Sequence, residues 1–373
     1  MIPFLNLSKQ YDTIRDEILE VTDLVYRSGV LMNGPYTKAL EEQMAKRMNM
    51  GYCIAVGSGT QALEMIAEYH RTHQHLSKDV VENQLVVCVP ALTYPATINA
   101  WIRAGWTPTI VDTDSYGVMD MAKMPDYQEY SAVCTVGLYG HPVNDGHNLR
   151  WKILVEDAAQ HWLATLKYGK RPITLAVSLD PTKNLGNYGN GGAIVTHDID
   201  AAHWFRACRD NGKPDYTVAG TNSRISEADA AQLLVKLKYV DQWQDQRRSI
   251  AGFWSEWLEH EELIRPLINK DNINGHALQK YVVEIDHRDR VQQLLHSDGI
   301  QTKIHYDRPL HEIPLYQDYR NPGHMSVSSM LSRRVLSLPF YPEMTDTEVS
   351  HVIDCLIKRV KDCSKSRAIP SHN

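Results

Sequence analysis

Three short segments carry the residues that could do chemistry. The run YCIAVGSGTQALEMIAEYH reads as a strand, a Gly57-Ser58-Gly59-Thr60 turn, and a helix with apolar Leu63, Ile66 and Ala67. Glycines at 57 and 59 let the backbone approach a ligand closely, while the first helical amides and the Ser58 and Thr60 hydroxyls face an anion. KILVEDAAQ sets Asp157 at the carboxyl end of an apolar run, where open α/β sheets gather their ligands. SLDPTKNLG sets Lys183 after the next such run, 26 residues on. An anion cradle, a carboxylate and an amine thus end neighbouring strand units.

Singly, each has a plainer reading. The turn is a tight strand-to-helix connection with a threonine cap, Asp157 caps a helix before Ala-Ala-Gln, and Lys183 is a solvated loop lysine. Together they match what pyridoxal-phosphate (PLP) chemistry needs: a lysine amine for a Schiff base, and a carboxylate that keeps the pyridine nitrogen protonated so that the ring can act as an electron sink. The turn matches neither a P-loop nor the G-x-G-x-x-G fingerprint, which argues against a nicotinamide oxidoreductase on the same pattern.

The elements that must position these groups are legible as alternation. Between residues 35 and 240, seven short apolar runs (52–57, 85–91, 107–114, 131–140, 152–157, 173–179 and 193–198) alternate with helical patterns. Runs so short and continuous suit strands buried on both faces of a mostly parallel α/β sheet with helices on both sides. A long helical stretch from about Ser226 to Leu258 leads into a last third with YVVEID, the helix HRDRVQQLLHSDGI and an amphipathic helix near 346–361. This pattern predicts a large domain, 1–245, and a small α+β domain, 246–373, whose polar tail after about residue 362 is expected to be disordered.

Composition narrows the partners. A net charge of −6 with scattered basic residues offers no field for nucleic acid or anionic lipid. The six cysteines are widely spaced without a C-x-x-C pair, which suits reduced, packed thiols, and no metal is called for. The amino terminus lacks the basic and apolar regions of a signal peptide, and no apolar run reaches membrane-span length, so a cytoplasmic protein is expected.

The motifs resemble, over nearly the whole chain, those of the DegT/DnrJ/EryC1/StrS sugar aminotransferases. The matching stretches are FLNLSKQY, SGVLMNGPYTKALEEQMA, GSGTQAL, VPALTYPATINA, VGLYGHP, VEDAAQ, SLDPTKNLGNYGNGGAIVT, NSRISEADAAQLLVKLKYVDQW, IHYDRPLH and LSLPFYPEMTDTEV. The resemblance implies the fold-type-I aspartate-aminotransferase architecture with a seven-stranded sheet. It assigns Lys183 as the Schiff-base lysine, Asp157 as the pyridinium partner and Gln160 as the contact to the ring hydroxyl. It assigns Ser58, Gly59, Thr60 and Ser178 to the phosphate, Tyr94 to the face of the ring, and Asn222 to the phosphate of the neighbouring subunit, hence a homodimer sharing its sites.

From the residues alone, Tyr94 could be core packing, Ser178 a strand-end hydroxyl and Asn222 a cap for the helix beginning near Ser226. His305, Tyr306, Arg308 and His311 could line a sugar-nucleotide pocket or lie on a plain surface loop, the arginine suiting phosphates. The chain departs from the family pattern at His161-Trp162-Leu163, in a shortened stretch before Lys183, at Leu179 and at Asn190. Dehydratase members carry histidine at the lysine position, so Lys183 favours amino transfer. The expected reaction moves nitrogen from an amino acid, L-glutamate, to a keto sugar, and the 222–243 stretch leans toward nucleotide-linked 3-keto-6-deoxy sugars over 4-keto ones. A keto-cyclitol acceptor and a PLP-holding sugar sensor without turnover are the alternatives.

Overall fold

A computed structural model describes residues 1–73, 85–124, 131–143, 153–164, 173–268, 270–319 and 323–365. All seven apolar runs become strands of one sheet: β1 (Tyr52–Val56), β2 (Val86–Pro90), β3 (Thr107–Val111), β4 (Ala132–Val136), β5 (Ile153–Asp157), β6 (Ile173–Ser178) and β7 (Gly192–Thr196). Their order is β1-β7-β6-β5-β4-β2-β3. Strands β3, β2, β4, β5 and β6 run parallel, and β7 is antiparallel to both of its neighbours.

Side chains alternate across this sheet, so each strand feeds two cores. Cys53, Ala55, Leu175, Val177 and Val195 pack with α2 (Pro35–Arg47) and α6 (Glu227–Leu237), through Leu40, Met44 and Leu233. Ile54, Val56, Ala176 and Ile194 face the other way, against α3 (Gly59–His73), α4 (Pro95–Arg103) and α5 (Ile199–Cys208). Each fully buried leucine or isoleucine here contributes about 1.5–3 kcal/mol, and continuous apolar runs follow from having no solvent face.

The helix α1 (Leu7–Ser28) lays Ile14 and Ile18 on Val235 and Trp243. The expected single helix from 226 to 258 is two, α6 and α7 (Val240–Leu258). At the joint, Lys238 N–H bonds to Val235 O and Tyr239 N–H to Lys236 O, tightening the turn to i→i−3 bonds before a new axis begins. Glu227, fully buried at the start of α6, accepts from the amides of Gly34, Tyr36 and Thr37 and from the Thr37 hydroxyl, and so caps α2 from about 190 residues away.

A second sheet, β10-β9-β8, is antiparallel and built from β8 (Ile264–Pro266), β9 (Val282–Ile285) and β10 (Val335–Ser337). It packs with α7, α8 (Arg288–Ser297) and α10 (Asp346–Lys365), while α9 (Ser326–Arg334) leads into β10. The last helix runs further than expected, because Val352, Leu356 and Val360 keep one face buried and Lys361 pairs with Glu261 at 2.8 Å. Residues 366–373 of the expected disordered tail lie outside the described residues, as do 165–172 of the shortened segment. All six cysteines are free thiols, and no helix among the described residues is long and apolar enough to cross a membrane.

Candidate active site

Strand register brings the three chemical segments to one edge of the large sheet. Gly192 pairs with Val56 on one side and Ser178 on the other, and Asp157 pairs with Val136 and Ala176. The residues that follow β1, β5 and β6 therefore emerge side by side.

The cradle is built by close approach. A Cβ on Gly59 would lie 2.8 Å from Ser178 Cβ, and one on Gly192 would lie 2.3 Å from the Ser58 carbonyl carbon, so only glycine permits this cup. Ser58 Oγ accepts from the Gln61 amide at 3.1 Å, capping α3, while Thr60 is exposed at the helix start. The cap and the cradle are one structure: the turn that starts α3 also leaves its first amides facing the cup. Ser223 closes the far side, its carbonyl accepting from Gly57 N–H at 3.0 Å and its hydroxyl donating to Gln61 Oε1 at 2.8 Å.

Asp157 is buried at the end of β5, accepting from Thr97 Oγ1 at 2.7 Å and from the Ala159 amide at 3.1 Å. Burial pushes its carboxyl upward, opposed by the Thr97 and Ala159 hydrogen bonds and by the Lys183 charge. Burial pushes the Lys183 amine downward, opposed by Asp157 and Asp180. The two groups thus feel each other across a desolvated space. Among the described residues no hydrogen bond or ion pair holds Lys183 Nζ, which leaves it available for covalent chemistry.

The loop bearing this lysine is pinned on every side. Asp180 Oδ1 accepts from the Thr182 amide at 2.9 Å, Asn184 Nδ2 donates to Gln244 Oε1 and the Ala277 carbonyl, and Lys236 Nζ donates to the Gly186 carbonyl at 2.6 Å. Asn187 Nδ2 donates to the Asn190 carbonyl, so at the atypical Asn190 it is the backbone that shapes the loop.

Gln160 Oε1 accepts from the Tyr139 amide at 2.8 Å, and its Nε2 donates to the Tyr306 hydroxyl at 3.3 Å. Tyr139 in turn donates its hydroxyl to the His305 carbonyl. Tyr94 is 58% exposed, not core packing, and its ring centroid lies 6.1 Å from that of Tyr306. Tyr306 therefore neighbours Gln160, Tyr94 and Asp157, and Asp157 neighbours Lys183, a chain of neighbours at the sheet edge that also carries the glycine cup.

Other expected residues fall around it. His305 faces inward, Nδ1 against Ser337 Oγ at 2.8 Å, its pKa lowered to about 2 by burial and neighbouring lysines. Arg308 is exposed. His311 turns to α9, with Nε2 at 3.0 Å from Ser329 Oγ, and is not joined to the Lys183 cluster. Asn222 is exposed, its Oδ1 accepting from Arg224, while Ser226 Oγ caps α6 instead. Trp162 is buried in the core with α2 and α6, so packing absorbs the departure at that position. Thr97, Tyr139, Ser223 and Gln279 went unnoticed in the sequence because only the folded chain sets them beside Asp157, Gln160, the cup and the Lys183 loop.

A buried carboxylate, a free amine, an exposed flat ring and a glycine cup at a helix start fit pyridoxal phosphate group by group. The sequence profile of the DegT/DnrJ/EryC1/StrS aminotransferase family matches residues 12–357. The chain belongs to this family. A pleiotropic regulatory protein of Geobacillus stearothermophilus is 32% identical across 95% of this chain and 97% of its own. A dTDP-3-amino-3,6-dideoxy-α-D-galactopyranose transaminase of Aneurinibacillus thermoaerophilus is 31% identical, covering 95% of this chain and 99% of its own. The crystal structure of S. venezuelae DesV superposes with a TM-score of 0.86 over 96% of this chain and 98% of that one, at 29% identity. The DegT-family chain thus has the fold-type-I aminotransferase architecture.

Proposed function

We propose that this protein is a PLP-dependent aminotransferase that moves an amino group from L-glutamate to a nucleotide-linked keto sugar in amino-sugar biosynthesis. The observation that carries the reading is the meeting of Lys183, Asp157 and the glycine cup at one sheet edge. When bound, the cofactor withdraws electrons from the substrate carbon. The chain's own residues do the rest. Asp157, whose charged form Thr97 and the Ala159 amide favour against the upward push of burial, would hold the proton on the pyridine nitrogen. Lys183 Nζ would take the proton from the donor's Cα and deliver it across the shared nitrogen, a 1,3-shift, with proximity and acid–base catalysis acting at one centre. Gln160 and Tyr94 fix the ring's edge and face, and Ser58, Gly59, Thr60 and Ser178 hold the phosphate.

The sugar enters beside His305 and Tyr306, with Arg308 at the mouth for the nucleotide phosphates. The 3-amino products in several relatives' names favour carbon 3. Exposed Leu31 and Tyr216 and the outward carboxamide of Asn222 support a homodimer in which Asn222 reaches the partner's cofactor. Lys183→Ala should abolish both turnover and the visible absorbance of the lysine–cofactor linkage; a variant keeping both would sink the reading. Purified protein with glutamate and a panel of dTDP-, UDP- and GDP-linked keto sugars, read by mass spectrometry, identifies the acceptor. A second reading, a cofactor-holding sensor, has the similarity to a regulatory protein in its favour. It requires that glutamate leave the visible band unchanged, whereas an aminotransferase bleaches it.

A further inference from the structure

Next to the Lys183 loop, a cavity of about 80 Å³ lies between the N-terminal segment and the second sheet, lined by Phe4, Thr182, Gln279, Lys280, Lys303 and His305 among others. Lys280 is 9% exposed, and its ammonium donates to Gln279 Oε1. Gln279 Nε2 donates to the Thr182 carbonyl at 3.0 Å, so one glutamine ties Lys280 to the residue before Lys183. Among the described residues the hydrogen-bond partner of Lys280 Nζ is Gln279 and no carboxylate pairs with it. An ammonium has three donors and no acceptor, so two of its hydrogens have no protein partner among the described residues. Lys303 stands at the rim, 5.1 Å from the Phe4 ring centre. Burial, together with Lys183, Arg247 and Lys303, lowers the Lys280 pKa, with only Asp180 opposing. The surroundings are therefore rich in cations and short of an anion.

We propose that Lys280 and Lys303 form a carboxylate-binding subsite beside Lys183, which receives an acidic group of a substrate. The inference rests on the aminotransferase reading of the same site. The cavity accommodates a group of carboxylate size, and a buried ammonium paired with a carboxylate gives a short, charge-assisted hydrogen bond. Two sources share that chemistry: the side chain of a dicarboxylic amino donor, and an acidic keto sugar.

The test uses the holoenzyme and Lys280→Met, a near-isosteric change that removes the buried amine without opening a cavity, with Lys280→Gln as a second variant should the first fold poorly. Glutarate and butyrate are titrated calorimetrically, and KM is measured for glutamate, alanine, and neutral and uronic keto sugars. Both variants should weaken glutarate binding at least tenfold, more than they weaken the monocarboxylate butyrate, and raise KM for glutamate but not for alanine, which lacks the side-chain carboxylate. A rise confined to the uronic sugar also supports the subsite and assigns it to the acceptor. Unchanged anion affinity and unchanged KM throughout, with thermal stability equal or raised, would overturn the proposal and leave Lys280 as packing. Loss of the aminotransferase reading shows separately, as wild-type protein without a visible band that glutamate bleaches.

Discussion

His276→Asn should make the protein more resistant to acid. His276 is 2% exposed; its Nδ1 accepts from the Leu278 amide at 2.9 Å, and among the described residues its Nε2 has no partner. Its ring meets that of His141 edge-on, with centroids 4.4 Å apart. Burial, then His141 and His161, hold its pKa well below 6.5. The folded protein thus keeps this ring neutral at pH values where the unfolded chain binds a proton. Stability therefore falls as pH drops through 6.5, by about 1.4 kcal/mol per pH unit, or about 2 kcal/mol between pH 7 and 5. Asparagine offers Oδ1 to the Leu278 amide and does not titrate. The substitution costs packing energy at both pH values, and that loss cancels in the comparison. Urea unfolding of both proteins at pH 7 and pH 5, at one protein concentration, should show wild type losing about 2 kcal/mol more than the variant. Equal losses would refute the argument that a neutral His276 is required for folding. Histidines remote from this pair, such as His70 with its pKa lowered to about 4, titrate in both proteins and cancel likewise.

Thr97→Val keeps the shape but removes the donor to Asp157; a hydrogen bond to a charged group contributes about 1.5–3 kcal/mol. The cofactor should dissociate at least tenfold faster, read as loss of visible absorbance on dilution, and an unchanged rate would separate Asp157's charge from cofactor retention. Gly192→Ala forces Ser58 to move, because the added carbon meets backbone at 2.3 Å. Overpacking of this kind costs about 1–3 kcal/mol, and a variant with wild-type melting temperature and cofactor content would contradict the geometry. Lys236 has its pKa lowered to about 8 by burial, so between about 8 and 10.5 the unfolded chain holds the extra proton. Wild-type stability should rise with pH there by about 1.4 kcal/mol per unit, and Lys236→Met should remove that slope in denaturant titrations.

All seven strands of the large sheet were legible because a run buried on both faces has no polar alternation to obscure it. Asp157 and Lys183 were legible for a related reason: each closes such a run, and strand ends are where ligands gather. Strand order was not, since nothing in the run at 192–196 marks it as antiparallel. The break near Tyr239 was also hidden, because Lys238 and Tyr239 are ordinary helical residues and only the packing of α7 onto the second core turns the axis. Thr97 lies 60 residues from Asp157, and Gln279 lies 97 from Thr182. No local pattern announces such pairs. His311 shows the converse: its nearness in sequence to His305 and Tyr306 suggested a shared pocket, yet a short turn over 310–312 carries it to Ser329.

The cap that Glu227 places on α2 bears on how the chain is made. Helix α2 leaves the ribosome long before its cap exists, since the carboxylate lies 193 residues beyond Gly34. At roughly 5–20 residues per second, that interval lasts about 10–40 s. Until Glu227 emerges, the amides of Gly34, Tyr36 and Thr37 must be satisfied by water, and α6, which covers the same sheet face as α2, is still missing while β1 through β7 are laid down. Translation that stops short of Glu227 would leave that face exposed, a ready binding site for a chaperone.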